Sequence, residues 1–312
     1  MSRYLRVAAA QMGPIQKADT REAVVGRLIA MLREAHTCGA KFVVFSELTL
    51  TTFFPRYLIE SQDEIDSYFE RDMPNAATQP LFDEARRLGV GFHLGYAELT
   101  EEEGKTRRFN TAILVGTDGN VIGKYRKIHL PGHAEHLPGK PFQHLEKRYF
   151  EVGNLGFRVW RAFDGIIGMC ICNDRRWPET FRVMGLQGVE MVVLGYNTPD
   201  ANIFHHQPVH QRMFHHMLSL QAGAYQNATW VVATAKAGSE DGHGLIGGTA
   251  IVSPTGEIVA QALSEDDEVV TYNCDLDLGR NIKENIFNFD KHRRIEHYGL
   301  ITSQTGVIPP AE

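Results

Sequence analysis

The sequence predicts an α/β protein in which mixed β-sheets are layered, with helices on the outside. Short apolar segments of strand length alternate along the chain with amphipathic segments of helical length. Several of the apolar segments are continuous, which is typical of strands buried on both faces. Two pairs of strands are joined by short turn sequences, and such hairpins make the sheets mixed. We therefore expect one α/β domain with layered sheets.

The first half of the chain alternates between predicted strands and helices. Apolar residues recur at helical spacing over residues 20–38, and Gly39 follows the last turn, which is typical of a helix end. The turn sequence at 117–120 predicts a hairpin, and residues 101–105 predict a solvated hairpin tip. The predicted strands are 7–11, 41–46, 90–97, 111–116 and 121–125, and the predicted helices are 20–38 and 78–88.

The second half repeats this pattern. Pro178 predicts a helix start, because proline suits the first helical turn. Residues 254–256 predict a second hairpin turn. The predicted strands are 165–171, 189–195, 230–235, 249–253, 257–262 and 269–275, and the predicted helices are 178–186 and 209–225.

The chain contains no linker, repeat or low-complexity segment, so residues 1–312 are predicted to form a single domain. The tail from about residue 291 to 312 lacks a core pattern, and we expect it to be disordered or to lie on another subunit.

Composition narrows the classes of function. The chain has 43% apolar residues and a formal net charge of −6, which disfavours nonspecific nucleic-acid binding. No segment approaches the roughly 20 apolar residues of a membrane span. The four cysteines, at 38, 170, 172 and 274, have neither disulfide nor zinc spacing. A reduced, cytoplasmic setting fits this cysteine usage best.

Three reactive side chains follow predicted strands: Glu47, Lys127 and Cys172. Taken singly, each has an ordinary alternative, namely a loop carboxylate, a solvated basic face or an inert buried thiol. Taken together, they suffice for acyl transfer without a metal or a cofactor. A thiol at a strand-to-helix turn lies near N–H groups that favour its thiolate, a carboxylate can remove its proton, and a lysine can hold a developing oxyanion.

These residues lie in three motifs, at 45–47, 124–130 and 171–179, whose order and spacing resemble the nitrilase (carbon–nitrogen hydrolase) superfamily. The resemblance implies a four-layer α-β-β-α sandwich that associates into homodimers or homotetramers. It also implies a Glu-Lys-Cys triad at Glu47, Lys127 and Cys172, with Glu146 as a second glutamate that orients the lysine. Ser46 departs from the proline expected before the first glutamate.

Within the superfamily, segments 51–56, 141–150 and 195–199 resemble the branch that hydrolyses N-carbamoyl-D-amino acids. The resemblance implies a small-molecule substrate of that class, cleaved through a carbamoyl thioester on Cys172 to the D-amino acid, ammonia and carbon dioxide. The branch pattern implies pocket positions for four side chains: His129, His144, Asn197 and Thr198.

Three further substrate contacts follow from the residues after the nucleophile. The Asn173 N–H is expected to help hold the oxyanion, and Arg175 and Arg176 to grip the α-carboxylate of the substrate, because guanidinium pairs with carboxylate in a fork. The alternative for either arginine is a structural pair with Asp174 or Glu179.

Other functions remain open at this stage. A β-ureidopropionase-like or aliphatic amidase-like hydrolase would share the triad, and a noncatalytic binding protein could use the same fold. Five histidines form a dense segment: His205, His206, His210, His215 and His216. Metal binding is one interpretation of this segment, but we favour a polar helix face or subunit interface and predict no metal site.

Overall fold

Two six-stranded mixed sheets form the centre of the computed structural model, which describes residues 2–201, 203–204 and 206–311. In chain order the strands are β1 (Tyr4–Gln11), β2 (Phe42–Val44), β3 (Gly91–Glu102), β4 (Lys105–Val115), β5 (Val121–Arg126), β6 (Val159–Ala162), β7 (Gly165–Ile171), β8 (Met191–Tyr196), β9 (Trp230–Ala235), β10 (Ala237–Glu240), β11 (His243–Ile246), β12 (Ala250–Val252), β13 (Ile258–Gln261) and β14 (Glu268–Asp275).

The first sheet has the order β14-β1-β2-β3-β4-β5, and the second has the order β13-β12-β9-β8-β7-β6. Strands β1, β2 and β3 are parallel to one another, as are β7, β8 and β9, whereas the outer strands join antiparallel. A separate hairpin pairs β10 with β11. The predicted mixed α/β class is confirmed.

The helices are α1 (Arg21–Thr37), α2 (Gln62–Asp66), α3 (Gln79–Leu88), α4 (Glu146–Tyr149), α5 (Pro178–Leu186), α6 (Val209–Asn227), α7 (Arg280–Asn285), α8 (Phe289–His292) and α9 (Gly299–Ser303). Three short 3-10 turns lie at Phe54–Arg56, Cys172–Arg176 and Ile295–His297. The long helices agree with their sequence predictions. The short helices and the strands β6, β10 and β11 were not predicted, because segments this short carry little periodicity.

Alternation along the strands explains the layers. In β1, Val7 and Ala9 join a buried cluster with residues of the second sheet, whereas Ala8 and Ala10 join a cluster with α1 and α3. Successive strand side chains point to opposite faces, so the first sheet is covered by helices on one face and by the second sheet on the other. Helices α5 and α6 cover the far side of the second sheet, where Leu220 is fully buried. The order of layers is α-β-β-α.

The C-terminal tail lies on the surface as three short helical turns. None of the residues in α8, the 3-10 turn at Ile295–His297 or α9 is buried. A subunit interface remains a prediction for this segment. Within the described residues, no helix combines the length and apolarity needed to cross a membrane.

Candidate active site

The three predicted reactive side chains come from the ends of strands in both sheets. Glu47 lies beyond β2, Lys127 directly follows β5, and Cys172 directly follows β7. The side chain of Lys127 is fully buried, and its Nζ donates to Glu47 Oε1 at 2.7 Å and to Glu146 Oε2 at 2.6 Å. One lysine therefore joins two carboxylates in the interior of the protein.

Close contact between the sheets fixes the position of Glu47. A side chain at Gly195 of β8 would place its Cβ only 2.2 Å from the Glu47 backbone nitrogen, so glycine is required there. Beyond β8, the Asn197 N–H donates to Glu47 Oε2 at 2.8 Å, and Asn197 Nδ2 donates to the Glu47 carbonyl at 2.9 Å. From the first sheet, Asn110 Nδ2 donates to Glu47 Oε1 at 2.8 Å. Both carboxylate oxygens are thus oriented by fixed donors.

A strained turn carries Cys172. Its φ is +48°, in the left-handed region that few residues other than glycine adopt. Asp174 braces this turn, because its Oδ2 accepts from the Ile171 N–H at 3.0 Å and from the Tyr125 hydroxyl at 2.7 Å. Such backbone strain persists only where the surroundings over-determine it, and it is common at functional sites.

The charges around Lys127 set the protonation states. Although burial alone would lower it, interaction with Cys172 in its ionised form and with the carboxylates of Glu146 and Glu47 raises the pKa of Lys127 well above its usual range. Burial acts to raise the pKa of Glu146, but Lys127 and His144 hold it below its usual value. Lys127 is therefore a cation and Glu146 an anion at neutral pH.

Cys172 behaves differently from the sequence expectation. Burial, followed by the charge of Glu47, raises the pKa of the Cys172 thiol, and the opposing charges of Lys127 and Arg175 do not cancel this. The expectation of a thiolate favoured by local N–H groups is wrong. A thiol that rests protonated needs a base, and Glu47 is the charged group that acts on it most strongly.

Cys172 opens onto a cavity of about 340 Å³. The described residues that line it are Pro131, Gly132, Phe142, His144, Cys172, Arg176, Asn197, Thr198, Pro199, Ala201, Ile203, Phe204, Gln207, Arg212 and His215. Two of these are arginines, and no aspartate, glutamate or lysine is among them. The cavity therefore presents positive charge to whatever approaches the thiol.

Comparisons with known proteins identify the family. The family model described as carbon-nitrogen hydrolase matches residues 6–284. This chain belongs to the carbon–nitrogen hydrolase family. Relatives named N-carbamoylputrescine amidase, citrullinase and omega-amidase indicate action on carbon–nitrogen bonds of the amide and ureido type.

The relatives of this carbon–nitrogen hydrolase cover most of the chain. A nitrilase of Pyrococcus abyssi is 32% identical over 296 residues, covering 94% of this chain and 99% of the relative. An N-carbamoylputrescine amidase of Arabidopsis thaliana is 31% identical over 318 residues, covering 97% of each chain. A crystal structure of a carbon-nitrogen hydrolase from Helicobacter pylori G27 has a TM-score of 0.82 at 21% identity, with 97% of this chain and 99% of that chain covered. The four-layer fold is confirmed by this likeness.

The two arginines that follow Cys172, Arg175 and Arg176, have different surroundings in this hydrolase. Arg175 is 2% exposed, and its guanidinium donates to the Cys172 carbonyl at 2.6 Å, to Thr198 Oγ1 at 2.9 Å and to His216 Nδ1 at 3.0 Å. These donors are used in hydrogen bonds within the protein, so the expectation that Arg175 binds the substrate is not supported. Arg176 lines the cavity and donates to Asn173 Oδ1 at 3.1 Å.

Neither arginine pairs with Asp174 or Glu179. The alternative prediction, a structural ion pair with one of these two carboxylates, is therefore also wrong. Among the described residues, the ion pairs of the chain include neither Arg175 nor Arg176. The surrounding protein and the charge of Arg175 lower the pKa of Arg176 to about 10, which still leaves it cationic at neutral pH.

The other predicted contacts divide into two groups. His144, Asn197 and Thr198 line the cavity, and His144 Nε2 lies 3.1 Å from Glu146 Oε1. His129 and the Asn173 side chain instead line a separate surface depression beside Trp177. His129 pairs with Asp174 at 2.9 Å and stacks on Trp177, so its expected substrate contact is not supported by its position.

Sequence reasoning missed Asn110, Tyr125 and Arg212. Asn110 is a fully buried polar residue in the second, buried half of β4, between Phe109 and the apolar residues that end the strand, and a polar residue in that position is the signal that could have identified it. The functional significance of Tyr125 and Arg212 depends on contacts that are remote in sequence.

The histidine segment has mixed surroundings. His205 lies outside the described residues. His206 and His210 are exposed, whereas His216 is fully buried, and burial together with Arg175 holds the pKa of His216 well below its usual value. Within the part of the chain that the structure describes, no three histidine, cysteine, aspartate or glutamate side chains gather as metal ligands would.

Proposed function

We propose that this carbon–nitrogen hydrolase cleaves the ureido bond of N-carbamoyl-D-amino acids, with Cys172 as nucleophile and Arg176 as the residue that binds the α-carboxylate. One observation carries the proposal: Cys172 shares its cavity with Arg176 and Arg212, and the described lining has no carboxylate. A desolvated carboxylate needs a cationic partner, and guanidinium provides a two-bond fork for it.

The same observation argues against a cationic substrate. The Arabidopsis relative is named for N-carbamoylputrescine, whose free amine is protonated at neutral pH. A cavity with two arginines and no described acidic lining would repel that amine, because like charges at close range destabilise binding. An amino-acid carboxylate reverses the sign of this interaction.

The hydrogen bonds of the triad assign roles to single atoms. Glu47 Oε1 accepts from both Lys127 and Asn110, whereas Oε2 accepts, among the described residues, only from the Asn197 N–H. A carboxylate oxygen has two lone pairs, so Oε2 keeps one for the proton of Cys172. Lys127 has three donors and uses two on Glu47 and Glu146, which leaves the third for the oxyanion.

The first half of the reaction follows from these atoms. Glu47 takes the thiol proton as Cys172 sulfur attacks the ureido carbonyl, and Lys127 with the Asn173 N–H stabilises the resulting oxyanion. Glu47 then returns the proton to the departing nitrogen, the C–N bond breaks, and the free amino acid leaves. A carbamoyl thioester remains on Cys172.

The second half consumes one water molecule. Glu47 removes a proton from the water as it attacks the thioester carbonyl, and the proton passes to the Cys172 sulfur as the C–S bond breaks. Carbamic acid is released and decomposes to carbon dioxide and ammonia. Glu146 holds Lys127 in place through both steps, and His144 holds Glu146.

One further atom supports a ureido substrate. Asn197 lines the cavity, and its buried Oδ1 has no hydrogen-bond partner among the described residues. Leaving a buried acceptor unpaired costs about 1–3 kcal/mol, so a donor from the substrate fits this position. The terminal NH₂ of a carbamoyl group is such a donor.

The D configuration is supported by similarity alone, through the segments 51–56, 141–150 and 195–199. A homodimer or homotetramer is proposed on the same basis, together with exposed apolar residues on α5 and α6. These residues are Val183, Leu186, Val209, Phe214, Leu218 and Tyr225. Light scattering coupled to gel filtration tests the association.

A substrate panel tests the proposed function. Ammonia release is measured for N-carbamoyl-D-alanine, N-carbamoyl-L-alanine, N-carbamoylputrescine and propionamide, with the Cys172→Ala variant as the inactive control. We expect the D-amino acid derivative to have the highest kcat/KM. Preference for N-carbamoylputrescine would overturn the charge argument, and preference for the L-isomer would overturn only the stereochemistry.

A further inference from the structure

Three polar side chains, from just before α6 and from its first two turns, line the cavity but have no assigned contact in the proposed reaction. They are Gln207, Arg212 and His215, which we call the α6 cluster. Arg212 Nε donates to the Pro199 carbonyl at 2.8 Å, its Nη1 lies 3.4 Å from Gln207 Oε1, and Gln207 Nε2 lies 2.8 Å from His215 Nδ1. The cluster is thus a connected set of hydrogen-bonding groups on an element separate from Arg176.

Arg212 is buried to an extent that calls for a counter-charge. It is 8% exposed, and two of the other three arginines buried to this degree are ion-paired: Arg56 with Glu240 at 3.4 Å and Arg126 with Glu98 at 2.7 Å. The third, Arg175, has no carboxylate partner but uses its guanidinium in three hydrogen bonds to the protein. Buried charges are as a rule paired, because taking an unpaired ion out of water is costly.

Arg212 has no such partner in the described part of the chain. Burial lowers the pKa of Arg212, and Asp200 opposes this at a distance without forming an ion pair. Its Nη2 makes no hydrogen bond to any described residue, although Arg212 itself lines the cavity. A guanidinium group has five donors, so capacity for an anion remains.

The position on α6 adds to the positive potential. Arg212 lies in the first turn of a 19-residue helix whose N-cap is Pro208, which provides no capping side chain. The unpaired N–H groups of a helix N-terminus carry partial positive charge, and this favours an anion nearby. Arginine charge and helix end therefore act in the same direction.

We propose that the α6 cluster binds a second anionic group, at the end of the substrate side chain, so that the preferred substrates are N-carbamoyl derivatives of amino dicarboxylic acids. This rests on the proposed function, in which Arg176 already holds the α-carboxylate. Two cations on separate elements of one cavity match two carboxylates on one substrate. The ureido group then lies between them at Cys172.

An isosteric substrate pair isolates the charge. N-carbamoyl-D-glutamate and N-carbamoyl-D-glutamine have the same shape and differ in one negative charge. For the wild-type enzyme we expect kcat/KM to be at least tenfold higher for the glutamate derivative. In Arg212→Gln this ratio should fall to within threefold of one, and Arg212→Lys should retain part of the preference because it keeps the charge but lacks the fork.

Two control variants test whether the ratio of the two kcat/KM values depends specifically on Arg212. Arg176→Gln should lower kcat/KM for both substrates by a similar factor and leave their ratio unchanged. Arg182→Gln changes an arginine of α5 that lies over Phe289 and outside the cavity, so the ratio should stay at the wild-type value.

The outcomes separate this proposal from the function on which it rests. A wild-type ratio near one overturns the α6 cluster as an anion site. Equal losses on both substrates in Arg212→Gln also overturn it, because Arg212 would then share the α-carboxylate, while the proposed function would stand. Failure of the wild-type enzyme on every N-carbamoyl amino acid, with simple amides cleaved, overturns both.

A measurement on the wild-type protein covers the case in which Arg212→Gln does not fold. D-glutamate and D-glutamine are compared as competitive inhibitors. A lower inhibition constant for D-glutamate, by tenfold or more, supports the proposal, and equal constants overturn it.

Discussion

Replacing Arg175 and Arg176 one at a time should separate stability from binding. Arg175 is buried and donates to Cys172, Thr198 and His216, whereas Arg176 lines the cavity and makes one side-chain bond, to Asn173. We expect Arg175→Met to lower the stability of the protein without a specific effect on substrate binding. Arg176→Leu should impair substrate binding with little loss of stability.

The magnitudes follow from these contacts. Three hydrogen bonds from a charged donor are each worth about 1.5–3 kcal/mol, but removing the cation also relieves the cost of burying it, which is several kcal/mol. For Arg175→Met we therefore expect a net loss of about 2–4 kcal/mol in the free energy of unfolding. For Arg176→Leu we expect a change within about 0.5 kcal/mol, as is usual at exposed sites.

Catalysis should show the opposite order. Loss of the carboxylate fork in Arg176→Leu should lower kcat/KM for N-carbamoyl amino acids by about 30- to 150-fold, which corresponds to about 2–3 kcal/mol. The labelling rate of Cys172 by a small neutral alkylating reagent should be unchanged in Arg176→Leu. In Arg175→Met that rate should change, because the guanidinium holds the Cys172 carbonyl.

Urea unfolding, steady-state kinetics and timed alkylation together provide the test. Wild-type kcat/KM in Arg176→Leu would refute its role in binding the carboxylate. Wild-type stability in Arg175→Met would refute the view that its three bonds brace the turn.

Three other predictions concern the triad and the core. Cys172→Ala should abolish turnover, and Glu47→Gln should lower kcat by several orders of magnitude, since members of a triad act as a unit; retention of a tenth of the activity in an ammonia-release assay would contradict this. Because the Glu47 charge raises the pKa of the Cys172 thiol, Glu47→Gln should also move the midpoint of Cys172 alkylation to lower pH, and an unchanged or higher midpoint would argue against their coupling. Burial lowers the pKa of His93 to about 4, so the unfolded chain binds its proton first and about 3 kcal/mol of stability should be lost as pH falls from 6.5 to 4. Urea titrations of the wild type and of His93→Asn, in which this slope should flatten, check the assignment.

Local sequence signals located the reactive side chains. Glu47 and Cys172 each follow an apolar strand and Lys127 follows a hairpin strand, and strand ends are where sites assemble in α/β sheets. The layered α/β class followed in the same way from continuous apolar strands and long amphipathic helices.

The roles of some site residues could not be predicted, because they depend on contacts with residues that are remote in sequence. Arg175 adjoins the nucleophile turn, but its partners Thr198 and His216 are 23 and 41 residues away, and only the folded chain shows that they use its donors. The local turn alone predicts a thiolate at Cys172, whereas burial and the carboxylate of Glu47 raise the pKa of its thiol. The sequence does not identify Arg212 as a binding residue, because most arginines in helices are exposed and only the structure shows that this one is buried.

Because Gly195 of the second sheet contacts Glu47 of the first, the hydrolytic activity depends on how closely the two sheets pack. The base is carried by the first sheet, but the second sheet holds it through Gly195 and the Asn197 N–H, and the second sheet also carries the nucleophile. A form of the protein with both sheets intact but slightly separated would keep its secondary structure and lose its reaction. Enzymatic assays on this chain therefore detect separation of the sheets that a helix or strand spectrum would miss.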